Sequence, residues 1–107
     1  MQEIKLKQNS AQMGQIELFM RIIGKTLFLK TNNEQYSNSM LQNLSSKGAV
    51  IIRGRGWLRI EIIPKETPLA KLGDYEIDLN KDTPEQIEIK IANFFKEKYV
   101  QAGFTLI

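Results

Sequence analysis

The feature that most constrains the fold of this chain is a strict alternation of side-chain type between residues 16 and 22. Every second position is a large aliphatic residue or methionine: Ile16, Leu18, Met20 and Ile22. A period of two is typical of a β-strand that buries one face. A helix over residues 16–23 is the alternative, because methionine and leucine also favour helices.

Gly24 and Lys25 interrupt this alternation, which resumes over residues 26–31. A Gly-X pair between two alternating segments is typical of a hairpin with a two-residue type II′ turn. Such a turn fixes the pairing of the strands, beginning with Ile23 opposite Thr26. In this register one face holds the core residues, and the other holds Phe19, Arg21, Phe28 and Lys30.

Caps and turn residues indicate the remaining elements. Asn33 is a candidate N-cap for a short helix that ends near Gly48. The composition of the next part predicts three strands, at residues 49–52, 57–63 and 75–79. A turn at residues 53–56 and a loop at residues 65–73 separate them. Thr83, Pro84 and Gln86 are the signature of a capped helix, and Gly103 follows its end.

The element order β-β-α-β-β-β-α predicts an α+β fold, with a small, mostly antiparallel sheet and two helices packed on one face. Residues 1–14 are the least regular part. Residues 4–7 alternate and predict an edge strand, whereas residues 8–12 are polar without a period and predict a loose, flexible segment. With 107 residues the chain has room for one domain, which we place at residues 15–107.

The chain contains neither cysteine nor histidine. This excludes disulfides, thiolate chemistry, zinc sites built on these residues and every histidine-based triad. Asp74, Glu76 and Asp78 have a spacing that could hold a cation, but we interpret them as a solvated strand face. Glu88 and Lys90 have the Glu-x-Lys form of some nucleases, yet they fall within the predicted helix. We therefore expect no enzymatic activity, no metal and no cofactor.

Charge is distributed unevenly along the chain. Residues 1–60 carry nine basic and three acidic residues, a net charge of +6, whereas residues 61–107 carry six and nine, a net charge of −3. A basic half suggests a surface that faces a polyanion, although a solvated surface explains it equally well. No apolar run is as long as a membrane span, and the first residues lack the apolar region of a signal peptide. We therefore expect a cytoplasmic protein without membrane insertion.

The second predicted hairpin places Trp57 and Arg59 opposite the core. If both hairpins join one sheet, its outer face interleaves the aromatic residues Phe19, Phe28 and Trp57 with the basic residues Arg21, Lys30 and Arg59. A flexible basic loop with Arg53 and Arg55 lies beside this face. Aromatic rings stack on bases and cations follow phosphates, as single-stranded nucleic acid requires. Alternatively, Phe19 and Phe28 lie under the N-terminal segment or under a second layer, Trp57 anchors the core, and residues 53–56 are an ordinary turn.

Two segments of this face resemble the RNA recognition motif family. Residues 53–60, Arg-Gly-Arg-Gly-Trp-Leu-Arg-Ile, resemble its longer strand signature. Residues 27–30, Leu-Phe-Leu-Lys, resemble the start of its shorter one. Arg55 and Ile60 stand where that family has aromatic residues. The resemblance implies an RNA-binding sheet face.

Two classes of function remain. In the first, the protein binds single-stranded RNA or DNA, with stacking by Phe19, Phe28 and Trp57 and phosphate neutralisation by Arg21, Lys30, Arg53, Arg55 and Arg59. In the second, the same face docks another protein, as an adaptor or as an inhibitor of a larger complex, because tryptophan and arginine are enriched in binding hot spots. The sequence leaves open whether the chain forms a homo-oligomer.

Overall fold

The computed structural model describes residues 1–35 and 50–107, with the backbone alone for residues 50–53 and 55. Within them the chain forms eight β-strands and one complete α-helix, which is an α+β architecture. The strands are β1 (Gln2–Ser10), β2 (Gly14–Ile23), β3 (Thr26–Thr31), β4 (Val50–Arg55), β5 (Trp57–Ile62), β6 (Leu69–Leu72), β7 (Tyr75–Asp78) and β8 (Thr105–Leu106). The helix, α1, spans Pro84–Gln101.

Six of these strands form one sheet in the order β4-β5-β3-β2-β1-β8, and β6 and β7 form a separate hairpin. Every neighbouring pair is antiparallel. The outermost strand, β8, contributes only two residues, which pair with Leu6 and Lys7 of β1. The prediction of a mostly antiparallel sheet is confirmed.

The β2–β3 hairpin has the predicted register. Ile23 pairs with Thr26 and Met20 with Leu29, so only Gly24 and Lys25 form the turn. Gly24 has a φ of 56°, in the left-handed region that glycine adopts at little cost. The alternating apolar side chains of β2 are all at most 1% exposed, as expected of a strand with one face on the core. The alternative of a helix over residues 16–23 is wrong.

Helix α1 begins with the predicted capping box. The Gln86 N–H donates to Thr83 Oγ1 at 3.2 Å, and the Thr83 N–H donates to Gln86 Oε1 at 2.9 Å. Pro84 occupies the first turn, where a missing N–H costs nothing. Beyond the other end, Gly103 has a φ of 97° and reverses the chain toward β8.

The core lies between α1 and one face of the main sheet. The helix packs against β1, β2, β7 and β8. Its buried stripe includes Ile87, Ile91, Phe95 and Tyr99. Facing them are buried side chains of β1 and β2, among them Ile4, Leu6, Leu18, Met20 and Ile22. Burial of each such side chain stabilises the fold by about 1.5–3 kcal/mol, so the apolar face of the sheet is the main support of the structure.

The prediction of a flexible basic loop at residues 53–56 is wrong. Arg53, Gly54 and Arg55 are the last residues of β4 and pair with Arg59, Leu58 and Trp57 of β5. Gly56 alone connects the two strands, with a φ of 69°. Because glycine has no Cβ, the chain can reverse there within one residue, and the strand pairing continues up to that point.

Three further strand segments differ from the predictions. Leu69–Leu72, expected in a loop, is β6 and pairs with β7. Residues 8–10, expected in a loose segment, continue β1 and pair with β2 as far as Ser10 opposite Gly14. The short strand β8 was not predicted. Because β2 flanks β1 along its whole length and β8 flanks part of it, β1 is an integral strand of the main sheet.

The predicted helix between Asn33 and Gly48 lies outside the described residues, except for its first turn. Asn33 Oδ1 accepts a hydrogen bond from the Gln35 N–H at 3.0 Å, as an N-cap does. In the part of the chain that the structure describes, α1 is the one complete helix. The expected arrangement of two helices on one face is therefore matched for α1 alone.

Glu88 joins α1 to the β2–β3 turn. Its side chain is 7% exposed, and Oε1 accepts a hydrogen bond from the Gly24 N–H at 2.9 Å. Its Oε2 lies 3.0 Å from the Met1 amine. The Gly24 hydrogen bond is the main reason that the pKa of Glu88 lies below its ordinary value, against the opposing effect of burial. The carboxylate thus couples the docking of the helix to the turn that sets the strand register.

Thr83→Ala should lower the free energy of unfolding by about 1 kcal/mol, because it removes the side-chain acceptor of the capping box. Urea denaturation followed by far-UV circular dichroism measures this loss. Thr83→Ser retains the hydroxyl and serves as the control. An alanine variant as stable as the serine variant would show that the cap contributes nothing.

Glu88→Gln should destabilise the protein at neutral pH, and the deficit should shrink in acid. A carboxyl whose folded-state pKa lies below its ordinary value of 4.5 contributes stability above that pH and loses it as the pH falls through the folded-state pKa. Denaturant unfolding of both proteins between neutral pH and the acid range measures the difference. Glu66→Gln, in the exposed loop before β6, controls for the loss of a charge, and a deficit independent of pH would contradict the assignment.

Candidate functional site

The face of the main sheet opposite the core carries the predicted aromatic and basic side chains. Phe19 and Arg21 lie on β2, Phe28 and Lys30 on β3, and Trp57 and Arg59 on β5. These three strands are neighbours in one sheet, and the apolar residues that alternate with them in β2 and β3 are buried. The two hairpins therefore do share a surface. We call it the aromatic–cation face, consisting of Glu3, Lys5, Phe19, Arg21, Phe28, Lys30, Trp57, Arg59 and Glu61.

Strand register arranges this face in two rows that run across the strands. In the first row, Lys5 pairs with Phe19 and Phe19 with Lys30. Trp57 continues this row on β5, and its ring centre lies 6.0 Å from Lys30 Nζ. In the second row the pairs are Glu3 with Arg21, Arg21 with Phe28, and Phe28 with Arg59. Cationic and aromatic side chains thus alternate along the whole first row and, in the second row, from Arg21 through Phe28 to Arg59.

Trp57, at the β5 end of the first row, contacts both aromatic and cationic side chains. Its ring meets that of Phe19 edge to face, with centroids 5.3 Å apart and an interplanar angle of 63°. The guanidinium carbon of Arg21 lies 5.6 Å from the Trp57 ring centre. Edge-to-face rings contribute about 0.5–1.5 kcal/mol beyond the area they bury, and a cation near the ring adds about 0.5–1 kcal/mol at a partly exposed site. These contacts hold a half-buried indole in place on the face of the sheet opposite the core.

The other two aromatic rings also have cationic neighbours. The guanidinium carbon of Arg59 lies 5.9 Å from the centre of Phe28, and Lys5 Nζ lies 5.2 Å from the centre of Phe19. All three rings are intermediate in burial, so they are neither core anchors nor fully exposed. The alternative that Phe19 and Phe28 lie beneath the N-terminal segment is wrong, because that segment forms β1 beside β2.

Two carboxylates lie beside the arginines of this face. Arg59 Nη2 is 2.6 Å from Glu61 Oε1, and the Glu61 side chain is only 15% exposed. Arg21 Nε is 3.6 Å from Glu3 Oε1, and this buried Nε atom makes no hydrogen bond within the described residues. By contrast, none of the ion pairs among the described residues includes Lys5 or Lys30. The two lysines therefore carry the uncompensated charge of the face.

Arg53 and Arg55 occupy positions at the β4 edge of the sheet. The backbone of Arg55 pairs with Trp57, so Arg55 occupies the next position of the first row. The backbone of Arg53 pairs with Arg59, so Arg53 occupies the next position of the second row. Sequence reasoning missed Lys5 and Glu3, which belong to the face because β1 is paired along its whole length with β2. The signal was the alternation at residues 4–7, which identifies Lys5 as an outward position once the strand is extended.

The acidic residues near β7 have structural roles. Asp78 Oδ1 accepts hydrogen bonds from the Asn80 and Lys81 N–H groups and so closes the turn after the strand. Lys90 Nζ lies 2.8 Å from Asp82 Oδ2, and this ammonium also donates to the Glu76 carbonyl oxygen at 2.9 Å. Residues 1–35 and 50–107 contain no cluster of three acidic side chains that could hold a metal ion.

Comparison of the chain with protein-family models, with curated proteins and with solved structures finds no match. Within the described residues, no helix has both the length and the apolar composition needed to cross a membrane. The geometry of the aromatic–cation face is therefore the basis for inferring a function.

Phe19→Leu should change the fluorescence of Trp57, the single tryptophan of the chain, because it removes the ring that meets the indole. The free energy of unfolding should fall by about 0.5–1.5 kcal/mol or more, because an aromatic pair contributes about this much to stability. Emission spectra and urea denaturation measure the two effects. Phe28→Leu, on the same face but in contact with Arg59, is the control. Equal spectral changes in both variants would contradict the pairing.

Proposed function

We propose that this protein binds single-stranded nucleic acid, RNA or DNA, on the aromatic–cation face and catalyses no reaction. The observation that supports this most directly is the first row, in which Lys5, Phe19, Lys30 and Trp57 alternate across four neighbouring strands. Such an alternation matches the alternation of bases and phosphates along a strand. Stacking on an aromatic ring contributes about 1–3 kcal/mol per base, and nearby cations neutralise the phosphates.

The shape of the face favours a single strand over a duplex. The rings lie in a sheet surface, where they can stack only on a base whose flat side is accessible. In a duplex the flat sides of the bases are covered by their neighbours. A duplex could therefore use the cations but not the rings, and it would lose the contribution of stacking.

No cofactor and no covalent step enter this proposal. The chain has neither histidine nor cysteine, and the carboxylates of the face are beside arginines rather than poised as acids or bases. The lack of cysteine also fits the reducing cytoplasm, where we place the protein.

A second candidate is a protein-docking surface on the same residues. The observation in its favour is the mixed charge of the face, where Glu3 and Glu61 lie beside the arginines. Tryptophan and arginine surrounded by partly compensated charge are typical of hot spots between proteins. Binding to such a partner, or self-association into a homo-oligomer, would depend less on salt than binding to a polyanion.

Fluorescence anisotropy of labelled single-stranded and duplex RNA and DNA, titrated at two salt concentrations, tests the proposal. Binding that is salt-sensitive and tighter for the single strands is the expected result. If neither single-stranded ligand binds at low salt, the nucleic-acid proposal fails. Size-exclusion chromatography and affinity capture would then test the docking of a protein.

Variants should separate stacking from charge. Trp57→Ala should weaken single-strand binding by about 1–3 kcal/mol and leave its salt dependence unchanged, because it removes a stacking ring. The double variant Arg53→Ala, Arg55→Ala should also weaken binding and flatten the salt dependence, by about 0.7 in log–log slope for each phosphate that is no longer neutralised. The double variant Lys65→Gln, Lys71→Gln, at exposed positions outside the face, also removes two positive charges and is the matched charge control. If both variants bind as the parent does, the site assignment is wrong.

A further inference from the structure

Each arginine of the aromatic–cation face has one aromatic and one acidic neighbour. Arg59 lies 5.9 Å from the Phe28 ring centre and 2.6 Å from Glu61 Oε1. Arg21 lies 5.6 Å from the Trp57 ring centre and 3.6 Å from Glu3 Oε1. An arginine beside both a ring and a carboxylate therefore occurs twice, at opposite sides of the face, and the carboxylate is within hydrogen-bond distance in the Arg59 pair.

The planar geometry of guanidinium gives these neighbours different effects. Its N–H donors lie in the plane, whereas its two flat sides carry no donors and stack on rings. Phosphates bind the in-plane donors, as carboxylates do. Glu61 thus lies at a donor of Arg59 where a phosphate would bind, and Glu3 lies on the Nε side of Arg21 as a nearby negative charge without a hydrogen bond. The flat sides of both guanidinium groups stay suited to stacking on bases.

We propose that Glu3 and Glu61 determine the specificity of the face by directing Arg21 and Arg59 toward bases and away from phosphates. This inference rests on the proposed binding of nucleic acid. It also reassigns two residues, because the sequence pattern suggested phosphate neutralisation for both arginines. Contacts to phosphate fall instead to Lys5 and Lys30, which belong to none of the ion pairs of the described residues.

A polyanion without accessible bases is disfavoured by this arrangement in two ways. It must displace a carboxylate that the fold holds beside the arginine, and an intramolecular competitor acts at a high effective concentration. Its charges also approach those of Glu3 and Glu61, which repel them. A single strand avoids the first cost because its bases use the rings and the flat sides of the guanidinium groups.

The test compares Glu61→Gln and Glu3→Gln with Glu17→Gln and the parent protein. Glu17 is an exposed residue of β2 at an outward-facing position, and no ion pair of the described residues includes it, so its variant controls for the loss of a negative charge. Three probes are used: oligothymidylate, a DNA duplex of the same length, and heparin, which is a polyanion without bases. Fluorescence anisotropy measures the binding of the two nucleic acids, and competition with them measures the binding of heparin.

Glu61→Gln and Glu3→Gln should each raise the affinity for the duplex and for heparin by about two- to fivefold, the range for an ion pair at the protein surface. Oligothymidylate binding should change less, so the preference for single strands falls. Thermal melting verifies that the variants fold. If the preference changes no more than in Glu17→Gln, the inference is wrong while the proposed function stands. A parent protein that binds neither nucleic acid overturns both.

Discussion

The two-residue turn at Gly24 and Lys25 fixes the register of β2 against β3, and both the core and the candidate site depend on that register. Because side chains alternate with a period of two, a slip of one residue would move Met20 and Ile22 to the outer face and Phe19 and Arg21 into the core. The Glu88 carboxylate binds the Gly24 N–H from the helix side. Correct docking of α1 and correct strand pairing therefore stabilise each other.

Local signals were sufficient wherever one short segment determined the structure. The hairpin register follows from alternation and a Gly-X turn, and the start of α1 follows from Thr83, Pro84 and Gln86. Elements whose own sequence lacks an apolar period were missed. Residues 8–10 are polar and extended because β2 offers hydrogen bonds along its whole length, and β8 forms because α1 returns the chain to β1. No period in the sequence encodes either contact.

Most residues of the candidate site were predicted, but only part of their arrangement was. Alternation assigned Phe19, Arg21, Phe28 and Lys30 to one face, and the shared sheet brought Trp57 beside them. Alternation also assigned Arg59 and Glu61 to the same face, since they are two residues apart on one strand. The pairing of Arg21 with Glu3 could not be predicted, because it depends on the register of β1 against β2. Arg53 and Arg55 were misjudged as a loop, since two glycines next to arginines suggest a turn although a single glycine makes it.

The short connections between strands have a consequence for the order in which the structure assembles. Residues 11–13 join β1 to β2, and Gly24 and Lys25 join β2 to β3, so these strand pairs are close in sequence and cost little loop-closure entropy. Pairing of β5 with β3 closes a much longer stretch of chain. The portion of the face built from β1 to β3 therefore has a low contact order. We expect Trp57 and Arg59 to join it in a later step, so that the complete surface forms only after β5 has paired with β3.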